Sequence, residues 1–261
     1  MRPPIAADLQ QWLGACRARL SAAPLPTRHP LRLGSETVGS VHPELWPHMA
    51  AHWPSSGDTS EALAQLANRL RASGHAGAWR DELLAVRGAS GHELAAVERG
   101  VVRVLGVRTE AVHLVGLAPD GRVWLQQRAF NKANDPGLWD TMVGGLVAQG
   151  ETRDQALVRE TWEEAGLRLL DLSDIRPGGV FDVSKPSPEG GGLGHLWETI
   201  HWFTTVVPEG TTPVNQDGEV ACFEALEPDA VRARVLAGLC TDEAAWVLAQ
   251  ALGWPLPVSD P

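Results

Sequence analysis

Tyrosine is absent from this 261-residue chain, lysine occurs only at Lys132 and Lys185, and cysteine only at Cys16, Cys222 and Cys240. Three widely separated cysteines without a CxxC pair give no support to a disulfide framework or a thiolate zinc site, and they favour a reducing compartment. Basic runs are missing as well. Acidic residues outnumber basic ones by 32 to 22, a formal net charge of −10, so a nucleic-acid backbone would be repelled. No basic amphipathic stretch invites a membrane surface. No window approaches the roughly 20 uninterrupted apolar residues that a bilayer-spanning helix needs, and residues 1–12 lack the apolar run of a secretion signal. The expectation is a soluble, cytoplasmic chain that binds neither nucleic-acid polymers nor membranes. Eleven tryptophans beside no tyrosine point to the base composition of the gene rather than to function.

Apolar residues make up 44% of the chain, which is enough for a core and suits one large domain or two small ones. In the first hundred residues, 8–20 reads as a helix with Leu9, Trp12, Leu13, Cys16 and Leu20 on one face. A hairpin is expected over 31–41. Helices are expected over 42–52 and 59–73, the latter capped by Thr59 or Ser60. Residues 83–86 read as a strand. From about Glu98 the texture turns to strands, at 101–107, 111–117 and 122–128, the last two joined by Pro119-Asp120-Gly121. A strand at 138–147 follows the loop 131–137. Residues 152–165 form a helix stopped by Gly166. Strands are expected at 168–180, 196–207 and 220–226, with a glycine-rich loop at 190–194. Helices at 229–236 and 242–252 close the chain.

Chemistry concentrates between Gly145 and Gly166. Glu160, Glu163 and Glu164 stand at i, i+3 and i+4 of one helix, which stacks three carboxylates within about 5–6 Å. Like charges so close destabilise a helix unless a hard divalent cation sits among them, and oxygen-only ligation suits Mg²⁺ or Mn²⁺. Glu151 lies just before the helix, near its positive end, and Arg159 can pair with a carboxylate and hold it. The plain alternative, a solvated acidic face, leaves the flanking glycines and the arginine unexplained. The loop Asn215-Gln216-Asp217-Gly218-Glu219 is a second acidic cluster. It reads as an ordinary Asp-Gly turn or as the source of a further ligand or base, Glu219, with Asp217 behind it. Arg128, Lys132 and Asn134 flank the loop leading to the strand at 138–147, where they either solubilise or contact phosphate. Trp139, Trp197 and Trp202 either stack on a substrate ring or pack in the core. His29, His42, His52, His75 and His92 lack metal spacing.

The pattern G-x5-E-x7-R-E-x2-E-E-x-G, from Gly145 through Glu151, Arg159, Glu160, Glu163 and Glu164 to Gly166, resembles the Nudix box. Thr161 departs from it, since an aliphatic residue usually follows the first glutamate of the Arg-Glu pair. The resemblance implies an α/β/α sandwich with a mixed sheet over residues 99–253. A small α+β domain over 1–98 would precede it, and a loose tail over 254–261 would follow. It also implies that Glu160, Glu163 and Glu164 bind Mg²⁺ or Mn²⁺ with the Gly145 carbonyl, with Glu219 as a further ligand. Glu151 and Arg159 would support the metal shell, and a glutamate, here Glu163 or a loop acid, would act as base. Arg128, Lys132, Trp139 and Asp217 become the expected substrate contacts, and the partner is a small-molecule diphosphate, with a homodimer allowed. The segments 97–106, 113–116, 131–145 and 215–220 are similar to a narrower Nudix branch that carries an extra N-terminal domain of the DUF4743 type. That branch is related to the Nudix part fused to thiamine pyrophosphokinase in some fungi. It implies cleavage of thiamine diphosphate or its oxidised forms to a monophosphate. Similar branches are 8-oxo-dGTP diphosphatases, and the box reads only the diphosphate.

Two other classes compete. Leu125-Gln-Gln-Arg-Ala129 with Lys132 and Trp139 resembles isopentenyl-diphosphate isomerase, whose catalytic cysteine is expected just after the tryptophan strand. Here that stretch reads Asp140-Thr-Met-Val-Gly-Gly145, with no cysteine. A non-catalytic Nudix sensor would be expected to lose box glutamates, and all are present.

Overall fold

The computed structural model describes residues 5–22, 28–55, 57–88 and 91–257. Helix α1 (Ile5–Leu20) is followed by a hairpin of β1 (His29–Leu33) and β2 (Glu36–Val41), then a one-turn helix α2 (Trp46–Met49) and helix α3 (Thr59–Ala72). A second hairpin, β3 (Leu83–Arg87) and β4 (Glu93–Glu98), leads into the short α4 (Arg99–Val102). Then come β5 (Arg108–Leu117), β6 (Val123–Arg128), β7 (Trp139–Thr141), β8 (Val143–Leu146) and α5 (Arg153–Ala165). The chain closes with β9 (Ser173–Ser187), β10 (Gly194–Val206), β11 (Val220–Leu226), α6 (Pro228–Leu236) and α7 (Asp242–Ala251). Among the described residues no helix is long and apolar enough to cross a membrane.

β5 and β6 pair only beside their turn, at Gly116↔Trp124 and Leu117↔Val123. Beyond that they part, and the 139–146 segment fills the fork. β7 pairs with β6, and β8 pairs with β5, as at Val112↔Gly145. The rest of this seven-stranded mixed sheet runs β11-β6-β5-β10-β9, with β10 parallel to β5. Helix α5 covers one face, where Ala156, Leu157 and Ala165 meet Val112, Leu114 and Val143. The other face is covered by α1, α6 and α7 through Leu9, Leu13, Val231, Val235, Trp246 and Leu248. The α/β/α layering therefore includes the N-terminal helix. A separate core, from Leu31 and Val38 through Leu63, Leu66 and Leu84 to Val107, holds the chain between α1 and β5 together. That unit is bonded directly to the sheet domain, with Gln149 N–H donating to the Leu83 carbonyl at 2.8 Å.

Several expected elements change. Residues 101–107 are not a strand. Glu98 caps α4 by accepting from Gly100 N–H, and Val101, Val102, Val104, Leu105 and Val107 are all buried in the second core. A short apolar run buried on every side carries no period that separates helix from strand. The partner of the 83–86 strand, β4, gives no clear alternation because its last four residues are all buried. The single strand expected over 138–147 breaks at Met142, where the chain crosses from β6 to β5. Asp58, not Thr59 or Ser60, caps α3, its side chain accepting from Glu61 N–H. The tail is irregular through 254–257, and its last residues lie outside the described ones.

Candidate active site

Helix α5 is fixed at both ends. Thr152 and Gln155 exchange side-chain and backbone hydrogen bonds in a capping box, and Gly166 ends the helix at φ 63°. That left-handed geometry suits glycine, and a β-carbon there would also meet the Val214 carbonyl at 2.5 Å. The helix turns Glu160 and Glu164 inward, both buried, beside Ala156 and Leu157. Thr161, the departure from the box pattern, is fully buried and donates its hydroxyl to the Leu157 carbonyl at 2.6 Å, so its polar atom is satisfied within the helix.

Glu160 lies against β8 because residue 145 has no side chain. A β-carbon on Gly145 would come within 1.9 Å of the Glu160 carboxyl carbon. Glu164 accepts from Gly144 N–H at 2.8 Å and from the Gln126 amide at 2.9 Å, with Lys132 Nζ at 3.9 Å. Burial pushes both carboxyls above the usual range, and for Glu164 the neighbouring Glu160 adds to the rise. Arg159 is the hub. Its Nε and Nη2 bond Glu151 at 2.7 and 2.8 Å, Nη2 also reaches the Leu146 carbonyl, and Nη1 bonds Glu160 at 2.7 Å and Glu163 at 3.0 Å. The Arg159 hydrogen bonds hold the Glu151 carboxyl below its usual range.

A cavity of about 130 Å³ opens beside this cluster, lined by Gly145 and Glu160 and also by Arg128, Lys132 and Glu219. Lys132 bonds Glu219 at 2.5 Å and so ties the 215–219 loop to the box helix. Burial raises the Glu219 carboxyl, but Lys132, Arg99 and Arg80 together bring it below its usual value. Arg128 reaches the Asp135 and Asn134 carbonyls and Asp140, so it shapes the 131–137 loop as well as lining the cavity.

Three expected residues sit elsewhere. Trp139 does not face the cavity. It is buried in the sheet core with the Arg234 guanidinium 3.9 Å from its ring centre. Trp202 is likewise core. Asp217 accepts from Glu219 N–H at 2.8 Å and so builds the turn without lining the cavity. Glu163 is turned outward, held on the same Arg159 nitrogen as Glu160. Among the described residues no three acidic, histidine or cysteine side chains converge closely enough to chelate a cation as they stand. The physical reason is Arg159, which draws two of the three carboxylates to itself. The donor chemistry still fits Mg²⁺ or Mn²⁺, because every available donor is an oxygen, and burial keeps the Glu160 and Glu164 carboxyls above their usual range even with Arg159 and Lys132 beside them.

Other lining residues gave no signal in the sequence. Arg80, Arg99 and Arg103 come from the chain before β5, and Asp140 and Glu198 from the strands. Asp140 is buried and accepts from Thr141 N–H and the Thr241 hydroxyl, and Glu198 accepts from the Thr109 hydroxyl. They lie far apart along the chain, so only the tertiary fold brings them together.

The NUDIX domain profile matches residues 107–246, and the chain belongs to the Nudix family. Nudix hydrolase 20, chloroplastic, from Arabidopsis thaliana is 28% identical over 174 residues, 64% of this chain and 45% of that protein. Isopentenyl-diphosphate Delta-isomerase from Salmonella heidelberg is 31% identical over 68 residues, 26% of this chain and 38% of that protein. The chain spans about half or less of the length of the curated relatives it matches. The crystal structure of DR0079 from Deinococcus radiodurans superposes with a TM-score of 0.53 at 23% identity, over 65% of this chain and 98% of that one, and shares the fold.

Proposed function

We propose that this protein hydrolyses the phosphoanhydride of a small organic diphosphate with the help of Mg²⁺ or Mn²⁺. We further propose thiamine diphosphate or its oxidised analogues as the substrates, released as the monophosphate. The observation that carries the reaction is the pair of buried carboxylates, Glu160 and Glu164, set against Gly144–Gly145 beside a cavity that Arg128 and Lys132 also line. The substrate rests on the similarity of segments 97–106, 131–145 and 215–220 to the thiamine-related Nudix branch.

Glu160, Glu163, Glu164 and the Gly145 carbonyl would hold the cation, with Glu219 as a further ligand. The bound ion would polarise a phosphoryl oxygen and lower the pKa of water. Arg159 and Glu151 keep the carboxylates in place. Arg128 and Lys132 meet the phosphate charge. Glu163 accepts the proton of the attacking water, typically a 10²–10⁴-fold contribution. The water oxygen bonds to phosphorus, the bridging P–O bond breaks, and the leaving phosphate keeps the electron pair. Isomerisation finds less support here, because Cys240, which packs beside Trp139, is buried and does not line the cavity.

Glu163→Gln and Glu164→Gln are each expected to lower turnover by about 100-fold or more while the circular dichroism spectrum stays native. Near-normal turnover in both variants would sink the assignment of this helix as the site.

A further inference from the structure

We propose that Arg80, Arg99 and Arg103, all supplied by the chain ahead of β5, grip the terminal phosphate of the substrate. They would thereby select diphosphates esterified at one end over those esterified at both. The proposal rests on reading the site as a diphosphate hydrolase, and it gives the N-terminal unit a part in substrate choice.

Arg80, Arg99 and Arg103 line the same cavity as Gly144, Gly145 and Glu160. Their placement is built into the fold. Glu98 is 5% exposed, and its Oε1 accepts from both Arg80 N–H at 2.9 Å and Gly100 N–H at 3.3 Å. One buried carboxylate thus pins the loop bearing Arg80 to the helix bearing Arg99, with Arg103 at that helix's end. The Arg103 carbonyl in turn accepts from His195 N–H at 2.8 Å, which fixes the helix to β10.

The guanidinium groups are also underused. Each carries five N–H donors. Among the described residues Arg99 spends one on Glu82 at 2.6 Å and Arg103 one on Glu189 at 3.3 Å. Arg80 has only the Glu219 carboxylate at 3.7 Å, beyond hydrogen-bond range. Donors without protein partners, on residues that line a cavity beside a candidate metal cluster, suit a multiply charged oxyanion. A terminal phosphate offers three free oxygens and a charge of roughly −1.5 to −2, whereas a phosphate esterified on both sides carries about −1.

Size agrees with this. The cavity of about 130 Å³ is comparable to the roughly 150 Å³ that admits a benzene-sized molecule. It takes phosphate groups and leaves the organic part at the mouth. None of the described lining residues is Trp or Phe, so the cavity reads charge rather than a ring.

The test uses the full chain with Mg²⁺ and methylenediphosphonate, a diphosphate that cannot be hydrolysed, titrated by calorimetry. Arg80→Ala and Arg103→Ala are each expected to weaken its binding about ten-fold or more. Arg176→Ala, at an exposed arginine outside the cavity, is expected to bind as the wild type does. In parallel, kcat/KM is measured for thiamine diphosphate and ADP against ADP-ribose and NADH. The wild type should favour the first pair, and Arg80→Ala should narrow the gap about ten-fold through KM, with Arg80→Lys restoring part of it. Binding within two-fold of wild type in both alanine variants, an equal loss in Arg176→Ala, or no binding by the wild type overturns the proposal. A wild type that binds the diphosphonate through these arginines but turns over nothing sinks the hydrolase reading alone.

Discussion

A β-carbon at residue 145 would sit 1.9 Å from the Glu160 carboxyl carbon, so the smallest substitution there displaces the carboxylate. Gly145→Ala is therefore expected to cut turnover about 100-fold, the scale of a misplacement of about 1 Å at a reacting centre. The far-ultraviolet circular dichroism spectrum should stay native, and stopped-flow or steady-state kinetics would check the rate. Arg159 makes the complementary point. A lysine there offers one charge but not the planar fork that bonds Glu151 through two nitrogens, so Arg159→Lys should lower stability by about 1–3 kcal/mol in urea melts and turnover with it. The spacing of Glu160, Glu163 and Glu164 was legible in the sequence, as was a charge partner for Arg159. The outward turn of Glu163 was not, because it follows from a guanidinium that bonds three carboxylates at once. Trp139 was misplaced as a substrate contact for a related reason. Alternation marks which strand residues share a face, but only the packed layers show that this face meets Arg234 and the core.

The box works as an element because its helix is fixed at both ends. Thr152→Ala removes the acceptor for Gln155 N–H and should cost about 1 kcal/mol, read as a lower melting temperature. The start and stop of this helix were legible from Thr152 and Gly166, since caps are local chemistry. So were the β1–β2 and β5–β6 hairpins, where turn residues stand between strands, whereas β4, the partner of β3, was not. The stretch 99–107 was hidden too, because its valines are buried in the second core and local pattern cannot say which secondary structure buries them. The fork at Met142 was equally hidden. One apolar run serves two partner strands, and pairing partners are a tertiary property.

Across the whole molecule, the sheet domain borrows α1 for its outer layer and presses the N-terminal core against the cavity, so the two parts of the chain share one site wall. The layered fold was foreseeable from the box, whereas the arginines that cross from one part to the other were not. His195, hydrogen-bonded to Ser184 at 3.0 Å, links β10 to β9, and burial, aided by Arg28, pushes its pKa from 6.5 down to about 4. The unfolded chain takes up this proton near pH 6.5 and the folded chain only near pH 4. The stability it contributes is therefore complete above about pH 6.5 and is lost as the pH falls towards 4. Glu160 and Glu164 act in the opposite sense, since their raised values let acid favour the folded state. His195→Asn should flatten the fall in melting temperature between pH 6.5 and 4, and an unchanged slope would contradict this. The most direct test of the central claim is product identification by mass, with Mg²⁺, with Mn²⁺ and again with EDTA. The panel would hold thiamine diphosphate, oxothiamine diphosphate, 8-oxo-dGTP, ADP-ribose and NADH. The account predicts metal-dependent release of a monophosphate from a thiamine compound. Preference for 8-oxo-dGTP would keep the chemistry and refute the substrate, and no turnover on any compound with either Mg²⁺ or Mn²⁺ would contradict the hydrolase itself.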